Sequence, residues 1–281
     1  MFLKLPNRTL DLRQPQVMGV LNLTPDSFFD GGRYSNIDAA LTQARAMLAE
    51  GAAIIDVGGE SSRPGAVAVS LDEELARVLP VIERIKHELD CIVSIDTTKP
   101  AVMDAACSAG AELINDITAL GADGALAVAC RHSAAVCLMH MQGEPRMMQQ
   151  QPQYGDVVAE VHAFLAARIA ACAAAGLARE RLLVDPGFGF GKALPHNLQM
   201  LAHLDRFLTL GVPLLVGLSR KSMFSQLLGL PLAERLPPSI AAAAIAVRSG
   251  ANIVRAHDVA ATVAAVRLAG AVRQAAEARA P

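Results

Sequence analysis

Missing from this chain is any excess of one charge. Lys and Arg total 25 against 27 Asp and Glu, a formal net charge of -2. No overall field therefore draws it to nucleic acid or to an anionic membrane, and any anion site must be built from local cations. Cysteine is also scarce: Cys91, Cys107, Cys130, Cys137 and Cys172 are the whole set. The number is odd, the spacing irregular and no CxxC occurs, which argues against a disulfide framework or a zinc site and fits a reducing compartment. Cys91 and Cys137 sit in apolar runs as core residues. No unbroken apolar run approaches the roughly 20 residues of a membrane span, and the apolar stretch at Met1–Leu5 is too short for a signal peptide. The expectation is a soluble, cytoplasmic protein without a membrane or nucleic-acid partner. Paired histidines for a hydrolytic zinc ion are absent, with His132 and His140 read as structural. No GxGxxG follows the first strand-like run, where Val20-Leu21-Asn22-Leu23-Thr24 stands instead, so the usual dinucleotide-binding sheet is disfavoured.

What is present is a rhythm. Hydrophobic residues make up 53% of the chain, ample for a buried core. Short apolar runs recur at Val17–Leu21, Ile54–Val57, Ile92–Ile95, Glu112–Ile114, Ala134–Met139, Leu182–Val184, Leu214–Leu218 and Ile253–Val254. Alanine-rich stretches of helical period lie between them, among them Ala39–Glu50, Asp72–Leu89, Ala101–Ala109, Val157–Ala175, Ser239–Ser249 and Ala260–Ala278. Strands alternating with helices imply parallel pairing through right-handed crossovers, and about eight such units imply a closed (β/α)₈ barrel. The strands read as continuously apolar, as strands buried on both faces should. Residues 2–12 alternate around Pro6-Asn7-Arg8 and read as a small N-terminal β-hairpin. No low-complexity linker interrupts the pattern, so residues 1–281 are expected to form one domain.

The chain is organised around Leu182-Leu183-Val184-Asp185-Pro186-Gly187-Phe188-Gly189-Phe190-Gly191-Lys192. A buried strand ends in a carboxylate, and three glycines then free the backbone for close approach to a ligand. In a barrel the chemistry sits at the C-terminal strand ends, and the other strand ends carry polar residues too. They are Asn22, Asp56, Asp96, Asn115-Asp116, Met139-His140, Ser219-Arg220-Lys221, and Arg255 with His257. Asp96, Asn115 and Asp185 suit a flat heterocycle with paired N–H groups, because a buried carboxylate without such a partner costs several kcal/mol. Lys221 can meet the polar atoms of that ring, and Arg255 can stack on its face. Asn22, Arg63, Arg255 and His257 suit phosphate oxygens, with Asn22 offering a neutral oxygen to magnesium. Asp56, Asp96 and Asp116 can alternatively cap the helices that follow. Two long loops, Thr24–Arg33 and Gly58–Ser70, have the composition of active-site lids.

These residues fall in motifs that resemble the dihydropteroate synthase family over nearly the whole chain. The motifs are Met18-Gly19-Val20-Leu21-Asn22-Leu23-Thr24-Pro25-Asp26-Ser27-Phe28, Asp56-Val57-Gly58-Gly59-Glu60-Ser61-Ser62-Arg63-Pro64-Gly65, Ser94-Ile95-Asp96-Thr97-Thr98-Lys99-Pro100, Asn115-Asp116-Ile117 and Met139-His140-Met141-Gln142-Gly143. Asp185–Lys192, Gly217-Leu218-Ser219-Arg220-Lys221-Ser222 and Arg255-Ala256-His257-Asp258-Val259 complete the set in family order. Ser62 stands where Thr is usual and Thr98 where Ser is common, and both keep a hydroxyl. Phe29 replaces a small residue in the first lid.

The resemblance implies condensation of 6-hydroxymethyl-7,8-dihydropterin diphosphate with 4-aminobenzoate, as a step of folate synthesis that sulfonamides inhibit. It also implies magnesium and a homodimer. On this reading Asp96, Asn115, Met139, Asp185, Phe190, Lys221 and Arg255 bind the pterin. Asn22, Arg63, Arg255 and His257 take the diphosphate, with Asn22 as the protein's magnesium ligand. Phe28, Ser62, Pro64, Phe190, Lys221 and Ser222 form the aminobenzoate slot. Asp26, Arg63, Lys221, Arg255 and His257 carry the catalysis, which loses diphosphate along an SN1-like path. The rivals are a non-catalytic pterin-binding paralogue and a pterin-dependent methyltransferase domain.

Overall fold

Eight parallel strands form the body of the computed structural model, which describes residues 1–23, 33–61, 68–143, 148 and 152–278, with the backbone alone described at 33–36 and 277. The strands are β3 (Gln16–Asn22), β4 (Ile54–Gly58), β5 (Ile92–Asp96), β6 (Leu113–Asp116), β7 (Ala135–Met139), β8 (Leu182–Asp185), β9 (Leu215–Val216) and β10 (Ile253–Ala256). They hydrogen-bond in the order β8-β7-β6-β5-β4-β3-β10-β9. A parallel bridge between Val184 and Leu214 brings the two ends together, so the sheet is the expected (β/α)₈ barrel. The helices outside it are α1 (Arg33–Ala49), α2 (Leu71–Glu88), α3 (Pro100–Ser108), α4 (Ala125–His132), α5 (Val157–Ala174), α6 (Leu194–Ala202), α7 (Ser222–Leu228), α8 (Leu236–Arg248) and α9 (Val259–Glu277).

Local chemistry explains these elements. In α2 the Ser70 side chain caps the Glu73 N–H, acids fill the first turn, and Lys86 and His87 lie in the last, matching the helix dipole. Val78, Val81, Ile82 and Ile85 bury one stripe of it at helical spacing. Helix α5 is apolar and long enough to cross a membrane, but Val161, Leu165, Ile169 and Cys172 bury its inner face in the barrel core.

The strands are not uniformly apolar. Side chains alternate across each strand, and only the outward set, such as Ile55, Val57, Val93, Ile95, Val136 and Val184, packs uniformly against the helices. The inward set changes character along the barrel axis. At the N-terminal end, Met18, Ile54, Ile92, Leu113, Leu183 and Ile253 form an apolar layer. One residue pair further along, the inward positions are Asp56, Ser94, Asn115, Asp185 and Arg255. Burying that many polar groups costs free energy unless each finds a partner, which marks the C-terminal half of the barrel interior as the place where function outweighs stability.

The expected hairpin is present as β1 (Phe2–Lys4) and β2 (Thr9–Asp11). Leu3, Leu5 and Leu12 pack on the apolar layer and close that end of the barrel. Glu112, buried there, is bonded by Arg8 and by Lys86 at 2.9 Å each.

Asp116 acts as a cap, but of a turn rather than a helix. It accepts the Thr118 and Leu120 N–H groups at 2.8 Å. Ala119 and Leu120 are left-handed at φ 55° and 57°, a conformation that costs a non-glycine residue about 1–2 kcal/mol. Arg168 secures the same turn through the Ala119 and Leu120 carbonyls. Asp116→Ala is expected to destabilise the fold by about 1–3 kcal/mol, the cost of stranding buried N–H donors, measured by urea unfolding. An unchanged midpoint would mean that the turn holds itself.

Candidate active site

A cavity of about 460 Å³ opens over the polar layer. At its floor Arg255 is held between two carboxylates. Its Nε donates to Asp56 Oδ2 at 2.6 Å and its Nη2 to Asp96 Oδ2 at 2.7 Å. Asn115 Nδ2 also donates to Asp56 Oδ2, at 3.1 Å. Burial opposes the charge on Arg255, but Asp56 and Asp96 outweigh it and raise its pKa. Two carboxylates share that one guanidinium, which crowds like charge at the floor of the cavity. Burial pushes Asp96 up to about 7, with Arg255 opposing the shift and Asp56 adding to it.

This arrangement decides which atoms remain for a ligand. Among the described residues no hydrogen bond takes Asp96 Oδ1 or the Asn115 side-chain oxygen Oδ1. On the opposite wall Asp185 Oδ1 accepts the Gly187 N–H at 2.8 Å, and no described hydrogen bond takes its Oδ2. Burial raises the Asp185 pKa, against the pull of the Gly187 N–H and Lys221. Asp96, Asn115, Asp185, Met139, Phe190, Lys221, Ser222, Arg255, His257 and Asn22 all line this one cavity, so the sequence-derived candidates among the described residues converge. Asp26, Phe28, Ser62, Arg63 and Pro64 lie outside the described residues.

The loop after β8 is as close-set as its glycines suggested. A Cβ on Gly187 would lie 1.9 Å from the His140 carbonyl oxygen, and one on Gly191 would lie 2.3 Å from that of Gln142; both residues have positive φ, 73° and 62°. No other residue fits either position. The loop places the Phe190 ring beneath Lys221, whose Nζ is 4.3 Å from the ring centroid. At the rim, Ser219 Oγ and His257 Nδ1 are 3.0 Å apart, while Arg220, which also lines the cavity, makes a paired contact with Asp258 at 2.6 and 2.8 Å. Ser222 opens the seven-residue helix α7.

Three groups escaped the sequence reading. Asp56 was weighed as a helix cap, yet it orients Arg255 and Asn115; its inward phase, one pair beyond Ile54, was the available signal. Its Oδ1 and the Ser94 Oγ are buried without a described hydrogen-bond partner, and the two residues are paired in register across β4 and β5. Lys99 bonds both Glu60 and Glu74. Burial opposes its charge but these carboxylates raise its pKa. Glu60 also accepts the Val69 N–H at 3.1 Å, joining two ends of the second long loop. Lys192 lies beneath the β8 loop, buried against His140, whose ring nitrogen is 2.9 Å from its Nζ. Burial and that neighbouring amine push His140 down to about 3, which fixes it as a neutral, structural histidine.

Among the described residues no group of three or more His, Cys, Asp and Glu side chains is placed to hold a metal ion. The expected magnesium asks for less, since that ion keeps several waters and binds through one or two protein oxygens plus a substrate phosphate. Gly58 supplies the room: a Cβ there would sit 3.5 Å from Asn22 Oδ1 and 3.7 Å from Asp96 Oδ2. The donor chemistry fits.

A family described as "Pterin binding enzyme" matches residues 18–257. The dihydropteroate synthase of Escherichia coli (strain K12) is 52% identical over 269 residues, 96% of this chain and 95% of that protein. The Yersinia pestis dihydropteroate synthase, solved with a sulfonamide drug complex, superposes with a TM-score of 0.92 at 51% identity and covers 98% of this chain and 100% of its own. The Burkholderia cenocepacia dihydropteroate synthase, solved with 7,8-dihydropteroate, gives a TM-score of 0.88 at 48% identity over 99% and 98% of the two chains.

Proposed function

The chain belongs to the pterin-binding enzymes, as a member of the dihydropteroate synthase family, and from that premise we propose how its residues carry the reaction. The substrates are 6-hydroxymethyl-7,8-dihydropterin diphosphate and 4-aminobenzoate; the products are 7,8-dihydropteroate and diphosphate. The carrying observation is that, among the described residues, Asp96 Oδ1, the Asn115 side-chain oxygen and Asp185 Oδ2 are left as acceptors around one buried mouth. They match the N–H edge of a pterin, while Met139, Phe190 and Arg255 lie about its faces and Lys221 meets its remaining polar atoms.

The exocyclic C–O bond breaks first, and its electron pair leaves with diphosphate. The electron-rich dihydropterin spreads the positive charge left on the methylene. Asn22, Arg255 and His257 receive the developing charge on the leaving group, joined by Arg63 from the second lid. Asn22 would hold a magnesium ion, which would supply further neutralisation of the diphosphate when bound. The amine lone pair of 4-aminobenzoate then forms the C–N bond and the nitrogen sheds one proton. This amine is weakly basic, so no strong general base is needed. Asp26, in the first long loop of the sequence, is assigned to stabilising the cationic methylene. Phe190, Lys221 and Ser222, with Phe28, Ser62 and Pro64 assigned from the sequence, are the residues proposed to bind the aminobenzoate, the ligand with which sulfonamides compete.

The wider setting follows the family. The exposed Ile245, Leu268 and Val272 on α8 and α9 support a homodimer, and the five irregularly spaced cysteines support a cytoplasmic setting. Residues 1–281 act as one unit, with small molecules as substrates and no nucleic-acid or membrane partner.

The site has a pH signature. Pterin recognition uses ionised Asp96, whose pKa in the free protein is raised to about 7. Affinity is therefore full above that pH and falls by up to about tenfold per unit below it. Calorimetry in two buffers of different ionisation enthalpy should register proton release on pterin binding near neutrality. Affinity that is flat with pH would show that Asp96 does not take part as a carboxylate.

The reaction itself is tested by following diphosphate. Release is expected only when 4-aminobenzoate and magnesium accompany the pterin diphosphate, with dihydropteroate formed in equal amount. Pterin binding without release would instead identify a non-catalytic paralogue.

A further inference from the structure

We propose that Lys192 is a positioning residue for both substrates, a buried amine around which the Asp185–Gly191 loop is wound. This rests on the reading of the cavity given above, in which Asp185 grips the pterin and Phe190 walls the aminobenzoate. Lys192 is only 2% exposed, and lysine is almost never fully buried without partners. It does not line the cavity, so it makes no substrate contact. Its Nζ instead meets the carbonyls of Gly187 at 2.9 Å, Phe190 at 3.0 Å and His140 at 3.3 Å, and the His140 ring nitrogen at 2.9 Å. Three carbonyls and one ring nitrogen converge on this single amine.

The loop is closed from outside as well. Asn197 donates to the Lys192 carbonyl at 3.0 Å and accepts the Gly189 N–H at 2.8 Å. Left-handed glycines let the backbone turn its carbonyls inward, but they bring no rigidity of their own. The amine brings it, by tying Gly187 and Phe190 to the end of β7. Each tied residue leads directly to a ligand group. The Gly187 N–H holds Asp185 Oδ1, and the Phe190 ring lies under Lys221. Without the amine, three buried carbonyls lose their donor and the loop relaxes. A misplacement of about 1 Å in a binding constellation lowers rate by about a hundredfold.

The test compares Lys192→Met, of similar length but without donors, with Lys192→Gln, which keeps two N–H donors, in the full chain. The readouts are the Kd of unreactive 6-hydroxymethylpterin by calorimetry, the KM for 4-aminobenzoate, kcat, and the folded fraction. Lys192→Met is expected to raise both the pterin Kd and the aminobenzoate KM, each by roughly tenfold or more, with Lys192→Gln between it and the parent. A purely structural lysine would lower kcat in step with the folded fraction and leave both constants alone; that result overturns the proposal, as does failure of both variants to fold. Asp185→Ala is the control for the underlying reading. If it binds pterin normally, the cavity assignment is at fault; if it does not and Lys192→Met does, Lys192 alone is misassigned.

Discussion

Asp185→Ala is expected to weaken pterin binding by about 10²–10³-fold. Truncating one partner of a buried, charge-assisted hydrogen bond costs about 2–5 kcal/mol, and about 1.4 kcal/mol is tenfold in affinity. The substitution removes the free Oδ2 acceptor, and it also strands the Gly187 N–H that Oδ1 accepts at 2.8 Å. Asp185→Asn separates the two losses. The amide oxygen still accepts from Gly187, so the loop stays in place while the anionic acceptor is gone. Its binding should lie between those of the parent and the alanine variant. Calorimetry with an unreactive pterin reads the effect without the chemistry, and undiminished affinity in Asp185→Ala would remove that carboxylate from the pterin site.

Arg255→Ala should strike both turnover and stability. A preorganised cation facing the charge that develops on diphosphate is worth about 10²–10³ in rate. Removing it also leaves Asp56 and Asp96 facing each other without the guanidinium that bonds them at 2.6 and 2.7 Å. Breaking a buried pair this way costs about 3–5 kcal/mol, part of which Asp96 relieves by taking a proton. Arg255→Lys keeps the charge but cannot reproduce a fork whose Nε and Nη2 reach different carboxylates, so it should recover little activity. Adding Asp56→Asn to Arg255→Ala should restore stability and leave turnover low. Parallel recovery of both would mean that Arg255 serves only to neutralise Asp56. The comparison needs steady-state kinetics beside urea unfolding for the same set of variants.

The barrel was legible because its rhythm is local. Apolar runs and alanine-rich stretches alternate, and the strand ends at Asn22, Asp96 and Asp185 fall where the composition changes. The glycines at 187 and 191 were legible as close-approach positions for the same reason. Phase was not. A strand such as Ile54-Ile55-Asp56-Val57 reads as one apolar run with an acid near its end, whichever face each residue takes. Only pairing with its neighbours reveals that Asp56 shares the interior with Ser94 and Arg255. Helix starts also drifted: α1 begins at Arg33, ahead of the alanine-rich stretch at Ala39. Lys192 was the hardest to read. A lysine after three glycines looks like a solvated cation at a loop end, and its burial depends on His140, more than fifty residues away in the chain. Asp116 likewise marks a turn rather than a helix start, a distinction made by the left-handed residues at 119 and 120.

The account turns on one geometric claim, that acceptors left free by a shared guanidinium grip the edge of a pterin. A crystal structure with 6-hydroxymethyl-7,8-dihydropterin diphosphate bound tests it directly. The ring's N–H edge should lie within hydrogen-bond distance of Asp185 Oδ2, Asp96 and Asn115, with the diphosphate directed toward Asn22, Arg255 and His257. A ring seated elsewhere in the barrel mouth, with those three side chains still bonded only to the protein, would contradict it.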